Sequence, residues 1–206
     1  MLAVMTEWRP LRPARDGIEA ARREALITAA IGAIEEAGSM EATTMAQIAA
    51  RASVSPALVH HYFGTKDDLM IAAMRHLLFG FRDGLTRRLA AAGTPRARVS
   101  AVIEGCFDPS QFSREAIAAW LVFYLYARRS CEAARLLRLY FRRLETNLVS
   151  GLGPLLGADA AIPVAAATGA MIDGVWLRQA LTPLTAPDGP AAVRMVERYI
   201  DAEIGT

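Results

Sequence analysis

The segment from Thr44 to Leu69, TMAQIAARASVSPALVHHYFGTKDDL, constrains the fold of this chain more than any other. Thr44 can cap a helix, because its hydroxyl accepts from a backbone N–H and Gln47 follows three residues later, as in a capping box. Ser55 and Pro56 start a second helix, since serine caps and proline at the first helical position gives up only an N–H that would be unpaired anyway. The segment therefore predicts two short helices close together.

The second helix has a defined inner face. Val59 and Phe63 lie four residues apart and must face inward, which turns the other side chains of this helix outward. Gly64 ends the helix and Thr65 caps the next one. Two short helices joined by a tight turn, about Ala52 to Ser55, are typical of a helix-turn-helix, whose second helix enters the major groove of DNA. An ordinary helical hairpin has the same spacing, so the pattern alone leaves both interpretations open.

The same segment resembles the DNA-binding signature of the TetR family of bacterial repressors. In VSPALVHHYFGTKDDL the valine–serine start, the tyrosine–phenylalanine pair, the lysine after the glycine and the following leucine match that signature. Two distal segments, CFDPSQFSREAIAAWLVFYLYA and AMIDGVWLRQAL, are similar to the ligand domain of BetI-type, choline-responsive repressors. The resemblance implies an all-α, homodimeric repressor that binds a near-palindromic DNA operator and is released by a small-molecule effector.

Composition is consistent with a helical fold but does not identify a partner. The 206 residues are 53% hydrophobic and rich in alanine, which suits a mostly helical chain with a sizeable core. The formal charge is +2, and residues 1–70 carry seven Lys and Arg against nine Asp and Glu. Phosphate binding by this part of the chain must therefore rely on placement, helix N-termini and hydroxyls rather than on bulk charge.

Three parts of the chain are distinguished by their patterns. Residues 1–17 carry prolines and arginines without periodicity, which predicts a mobile arm that is either plain disordered surface or a DNA contact. Residues 18–66 form the predicted helix-turn-helix domain, which begins with a helix from Ile18 to Ala37. Residues 67–206 form the predicted effector-binding and dimerisation domain. A long helix from Lys66 toward Leu89 joins the two domains.

The distal domain is predicted to consist of further helices, with ranges Pro95–Phe107, Arg114–Arg129, Cys131–Leu156, Val164–Leu181 and Ala191–Ile204. The resemblance implies that the third and fourth of these form a four-helix dimer interface. The most apolar stretch, Ala160 to Leu181, is long enough to cross a membrane. Asp173 and Arg178 interrupt it, so we expect a buried helix and no membrane partner.

Enzymatic chemistry has little support in the sequence. His60 and His61 are adjacent and point apart on a helix, so they cannot share a metal at the usual helical spacing. The sequence contains no phosphate-binding glycine loop, metal-spaced cysteine pair or nucleophile elbow. We therefore expect no enzyme activity, cofactor or metal, with a helical small-molecule carrier or enzyme as the alternative. Two cysteines without a secretory signal indicate the cytoplasm.

The candidate DNA contacts lie on the two short helices and at the start of the next. In the resembled family the positions of His60, His61 and Tyr62 touch phosphates or base edges, although many relatives have tyrosine in place of His60. The leading turn of the second helix is small or apolar and offers thymine-methyl contacts but few hydrogen bonds. The full set is Thr44, Met45, Ser55, Pro56, Ala57, Leu58, His60, His61, Tyr62 and Lys66.

Lys66 is the only lysine in a chain that otherwise uses arginine. It falls in the first turn of a helix, where backbone N–H groups and the positive end of the dipole already favour an anion. This position favours a phosphate anchor. The alternative is a solvated charge paired with Asp67 or Asp68.

The candidate effector site combines aromatic rings with one carboxylate. Helical spacing puts Trp120, Phe123 and Tyr124 on one helix face, which is also the pattern of an ordinary core. Asp173 and Trp176 share a face of another apolar helix. A buried carboxylate is costly unless it is paired, so its partner is either an arginine or a cationic ligand. Because the resemblance implies choline or a related amine, these five residues are the predicted cation cage.

Overall fold

The computed structural model describes residues 13–182 and 185–205, which contain helices and no strand. The helices are α1 Pro13–Ala37, α2 Met45–Arg51, α3 Pro56–Phe63, α4 Lys66–Ala91, α5 Pro95–Cys106, α6 Arg114–Ala127, α7 Cys131–Leu156, α8 Ala158–Leu181 and α9 Gly189–Ile204. The predicted all-α fold is confirmed.

The predicted caps form at the starts of the short helices. The backbone N–H of Gln47 donates to Thr44 Oγ1 over 3.2 Å, and the Thr44 N–H donates to Gln47 Oε1 over 2.7 Å, which completes the capping box. The Leu58 N–H donates to Ser55 Oγ over 3.3 Å. The tight turn between α2 and α3 places Ser53 at a φ of 54°, the left-handed region that favours glycine. Backbone hydrogen bonds hold the turn in this conformation: the N–H of Ser53 donates to the Ala50 carbonyl, and the N–H of Val54 donates to the Ala49 carbonyl.

Two helix starts differ by several residues from the sequence-based prediction, while α9 begins at Gly189, close to the predicted Ala191. α1 begins at Pro13 and so takes in the end of the predicted arm, because proline is well tolerated in the first turn of a helix. The rest of that arm, residues 1–12, lies outside the described residues. α8 begins at Ala158, directly after Gly157 has turned the chain with a φ of 83°, and it keeps Pro163 inside the helix. Part of the predicted connection before α9, residues 183 and 184, is also outside the described residues.

The small domain packs α1, α2 and α3 against the first turns of α4. Ile48, Val59 and Leu69 are fully buried where these helices meet. From there α4 continues into the distal domain, where it packs against α5, α6 and α7. One rigid helix therefore connects the two parts, as the sequence predicted.

α8 has the length and hydropathy of a membrane-crossing helix. Its two sides differ, however. One side buries Val164, Thr168 and Ile172 against neighbouring helices, with the Thr168 hydroxyl donating to the Val164 carbonyl. The opposite side exposes Ile162 and Leu177. α8 therefore packs into the helical domain along one side only, and the helix that the sequence predicted to be buried leaves its other side uncovered in the single chain.

Candidate DNA interface and effector site

α3 has the inner and outer faces that its sequence predicts. Val59 and Phe63 are buried, with 0% and 6% of their surface exposed. The guanidinium of Arg23, on α1, lies over the Phe63 ring at 4.8 Å. α3 is thus fixed by its inner face, which leaves its outer face available for a partner.

The predicted DNA-contacting side chains fall into two groups by exposure. The exposed group is Thr44, Ser55, Pro56, Ala57, His60 and His61, and the half-buried group is Met45, Leu58, Tyr62 and Lys66. The hydroxyls of Thr44 and Ser55 already accept the capping hydrogen bonds. Both groups lie on or beside α2 and α3. Their contacts with DNA remain a prediction.

His60 and His61 are held in defined orientations at the end of α3. Nδ1 of His60 lies 2.8 Å from the carbonyl oxygen of Gly64. Because a carbonyl oxygen can only accept, Nδ1 bears the hydrogen and donates a hydrogen bond to it. The ring of His61 meets that of Tyr62 edge to face, with 5.6 Å between centroids. The hydrogen bond to Gly64 uses Nδ1 of His60, so Nε2 is the ring nitrogen on the other side of the imidazole.

Lys66 has an arrangement that the sequence analysis did not anticipate. Its ammonium donates to the carbonyl oxygens of Met40 and Thr43, over 2.8 and 3.0 Å. It therefore braces the loop between α1 and α2 against the start of α4. An ammonium group has three donors, so one remains for a phosphate. The phosphate-anchor role stays a prediction, now beside a clear structural role.

Lys66→Met should lower the free energy of unfolding by about 1–3 kcal/mol, because it keeps the stem but removes two charge-assisted hydrogen bonds to carbonyls. Urea unfolding followed by circular dichroism measures this change. Arg198→Met, which removes an exposed cation from α9, is the matched control. Unchanged stability with reduced DNA affinity would mean that Lys66 acts on phosphate alone.

An ion pair connects the distal part of the chain to the loop between the first two helices. Arg129, just after α6, pairs with Glu41 in the loop between α1 and α2. The hydrogen bond from Arg129 is the main reason why the pKa of Glu41 is lowered. Nearby, Arg75 on α4 pairs with Glu132 on α7 at 2.6 Å. The end of α6 is thereby joined to the loop that Lys66 also braces.

The five predicted cage residues lie in one cluster. Trp120 is at its centre, with ring-centroid distances of 5.9 Å to Tyr124 and 6.3 Å to both Phe123 and Trp176. Sequence reasoning missed Tyr140 of α7, whose ring is nearer still to Trp120, at 5.2 Å. The adjacent aromatic pair of Tyr140 and Phe141 on an otherwise arginine-rich helix was the available signal.

Asp173 supplies a carboxylate at the edge of this cluster. Its Oδ1 lies 3.5 Å from the Tyr124 hydroxyl. Burial raises the pKa of Asp173 to about 6, against the opposing effect of the Tyr124 hydrogen bond. Burial, followed by the field of Asp173, raises the pKa of Tyr124 well above its usual value. Within the described ranges no arginine forms an ion pair with Asp173, and the predicted alternative partner, Arg178, is exposed.

A cavity of about 270 Å³ between α7 and α8 reaches Asp173. Its walls include Phe141, Leu144 and Glu145 of α7 and small residues of α8. Of the cage residues, Asp173 alone lines this cavity. Trp120 and Trp176 lie deeper, with 5% and 9% of their surface exposed. The carboxylate therefore stands between an open cavity and a packed aromatic cluster.

Two family models match the chain, one in its N-terminal part and one in its distal part. Residues 26–73 match the model for bacterial regulatory proteins of the tetR family. Residues 95–205 match the model for the C-terminal domain of BetI-type transcriptional repressors.

Individual relatives match most of the chain. The chain is 47% identical over 188 residues to the HTH-type transcriptional regulator BetI of Brucella anthropi, covering 91% of this chain and 96% of that protein. It is 48% identical over 189 residues to the regulator of the same name from Rhizobium meliloti, with coverages of 91% and 92%. These relatives are regulators, which confirms the regulator interpretation over the carrier or enzyme.

Solved structures show the same fold. A transcriptional regulator from Rhodococcus superposes with a TM-score of 0.69 at 28% identity, covering 89% of this chain and 94% of that one. A protein from Saccharomonospora viridis, described as a transcriptional regulator and crystallised in complex with choline, superposes with a TM-score of 0.74 at 18% identity, with coverages of 88% and 96%.

Proposed function

Since the chain belongs to the TetR family of bacterial regulators and has the C-terminal domain of BetI-type transcriptional repressors, we propose that it binds a near-palindromic operator as a homodimer and is released by a small organic cation. The proposal that the chain binds DNA rests on the capped α2–α3 unit, in which Val59 and Phe63 are buried and the outer face of α3 is exposed. The protein acts in the cytoplasm, where its operator lies.

In this proposal residues 18–66 are the DNA-binding domain and α3 is the recognition helix. A dimer presents two copies of α3 to successive major grooves, about 34 Å apart along the duplex. Pro56, Ala57 and Leu58 face base edges, while Tyr62 and Lys66 contact phosphates. Residues 67–206 hold the effector and the dimer interface.

The effector half of the proposal rests on Asp173. A half-buried carboxylate that pairs with no arginine of the described residues favours a bound cation, which restores the lost solvation energy. Trp120 is packed among other rings, so the cluster must open for a cation to enter it. The faces of Trp120 and Tyr124 then add about 0.5 to 2 kcal/mol per ring to cation binding. A quaternary ammonium such as choline suits this site, because it needs no hydrogen-bond acceptor, and the choline complex of the S. viridis protein motivates the same choice.

Release follows from a difference in effector affinity between two conformations of the dimer. α6 carries Trp120 and Tyr124 in its middle, and the residue Arg129 beyond its end pairs with Glu41 of the DNA-binding domain. A cation that shifts α6 also shifts this contact. The spacing of the two recognition helices changes as a result, and the operator no longer fits.

The dimer interface is proposed for the outer faces of α7 and α8. These faces expose large apolar side chains, including Phe141, Leu155, Ile162, Leu177 and Leu181. A two-fold interface buries the same patch on both subunits.

Sedimentation should find a dimer at micromolar concentration. Leu177→Glu should shift it toward monomer by about 2 kcal/mol or more, since each subunit then buries an unpaired charge in an apolar interface. Ala90→Glu, at the far end of α4, should leave the dimer intact. A wild-type monomer at this concentration would contradict the interface.

Gel-shift titration of the DNA upstream of this gene tests the repressor itself. We expect binding that is specific for that fragment and that weakens steeply with salt, because neutralised phosphates release counterions. With about six phosphate contacts, affinity should fall about a thousandfold between roughly 50 and 200 mM salt. Flat salt dependence, or equal affinity for random DNA, would remove the proposal.

A further inference from the structure

A groove runs between α4 and α7. Tyr140 lines this groove and also contacts Trp120 of the predicted cage. One face of each helix lines it: Leu78, Leu85 and Leu89 come from α4, and Leu136, Leu139 and Tyr140 from α7. Their spacings of three, four or seven residues keep each set on one side of its helix. Phe79 and Leu139 at its edges have 53% and 43% of their surface exposed. The groove therefore offers apolar surface to something outside the fold.

Cationic side chains stand at the rim of this groove. Arg75 is engaged by Glu132 and Arg82 by Asp83, at 2.6 and 2.8 Å. Arg143 also lines the groove and forms no ion pair with any described residue. Asn147, one helical turn further along α7, adds an amide to the same wall. The rim thus has one available guanidinium beside a neutral hydrogen-bonding group.

Cations outnumber carboxylates around the groove. The adjoining surface of α7 adds Arg135, Arg138 and Arg142, and its carboxylate, Glu132, is already paired with Arg75. The cavity at Asp173 is the reverse, because Asp173 and Glu145 line it without an arginine. The two cavities therefore select ligands of opposite charge.

We propose that the α4–α7 groove is a second small-molecule site, which binds an amphiphilic carboxylate with its head on Arg143 and its apolar body between the leucines. The groove holds about 210 Å³. At about 30 Å³ per water-sized group, this volume takes roughly seven such groups. A straight-chain or aromatic carboxylate of about that size fits, with its head at the open rim. The site is independent of DNA binding and of the cation cage, so it goes beyond the proposed function.

The test uses octanoate as the probe and the full-length protein in calorimetry. Octanoate is expected to bind, while octanol and octyltrimethylammonium should bind at least about tenfold more weakly, because they lack the charge-assisted contact. Arg143→Ala should reduce octanoate affinity about tenfold, and Arg143→Lys should retain part of it. Arg198→Ala, which removes an exposed cation from α9, should leave the affinity unchanged.

A second pair of variants tests the apolar wall. Leu139→Glu should weaken octanoate binding at least about tenfold, since it replaces apolar contact with a like charge. Leu125→Glu, at a leucine on α6 that is 57% exposed against 43% for Leu139, should not weaken it. Circular dichroism checks that each variant is folded. Equal binding of octanoate to all variants, or equal binding of octanol and octanoate, would overturn the site.

Cross-tests separate this proposal from the cation cage. Asp173→Asn should leave octanoate affinity unchanged, and Arg143→Ala should leave choline affinity unchanged. If choline does not bind but Arg143→Ala lowers the affinity for octanoate, the groove proposal is supported and the cation cage is wrong. If octanoate binding follows Asp173 instead of Arg143, the groove is wrong.

Discussion

In an Asp173→Asn variant, choline is expected to bind about thirtyfold more weakly or worse, which corresponds to about 2 kcal/mol, while operator affinity without ligand is retained. The change keeps the shape of the side chain and removes its charge. The trimethylammonium group then meets aromatic faces without a counter-ion in a poorly solvated site. In a reporter strain, such a repressor binds and no longer releases.

Calorimetry measures the affinity of each variant for choline. Gel shifts with and without choline measure its affinity for the operator and its release. Asp159→Asn is the matched control, because it removes a carboxylate from the exposed first turn of the same helix. Its choline affinity should equal that of the unaltered protein. Equal affinity in Asp173→Asn would instead mean that the cation does not use this carboxylate, and the cage would be wrong even if the repressor is right.

The same carboxylate predicts a pH dependence. The pKa of Asp173 is raised to about 6, and the cation binds the ionised form. Choline affinity should therefore be nearly full at about pH 7.5 and fall as the pH drops through 6 and the carboxylate takes up a proton. Asp173→Asn should abolish this fall. A choline affinity that rises toward acidic pH would contradict the assignment.

Ala57→Glu should reduce operator affinity about a hundredfold or more, about 3 kcal/mol, without unfolding the protein. Ala57 is exposed on the leading turn of α3, so a glutamate there costs no packing. In the proposed complex its carboxylate faces the phosphates and base edges of the major groove, and like charges placed together in an interface cost several kcal/mol. The dimer carries one such glutamate on each of its two recognition helices, so both halves of the operator are affected.

Ala90→Glu is the control for this variant as well, because it adds the same charge at an exposed position of α4 far along the chain from α3. Gel shifts on one operator fragment compare the two variants, and thermal unfolding confirms that both are folded. If Ala57→Glu binds the operator as tightly as Ala90→Glu does, α3 is not the helix that enters the groove.

The sequence by itself determined the DNA-binding unit. The capping box of Thr44 and Gln47 and the cap of Ser55 form between residues three apart, so the chain needs no distant partner to specify them. The inward faces of Val59 and Phe63 follow from helical periodicity in the same way. The cage residues Trp120 and Asp173 could also be named, because each lies on a recognisable face of its own helix.

The tertiary structure alone decided how those faces meet. Lys66 braces carbonyls 26 and 23 residues away, and Arg129 pairs with a glutamate 88 residues away. Tyr140 packs over Trp120 and also lines the groove that exposes Arg143. Helical periodicity fixes which side chains share a face, but the rotation and crossing of packed helices fix which faces touch. These contacts therefore arise only when the whole core has formed.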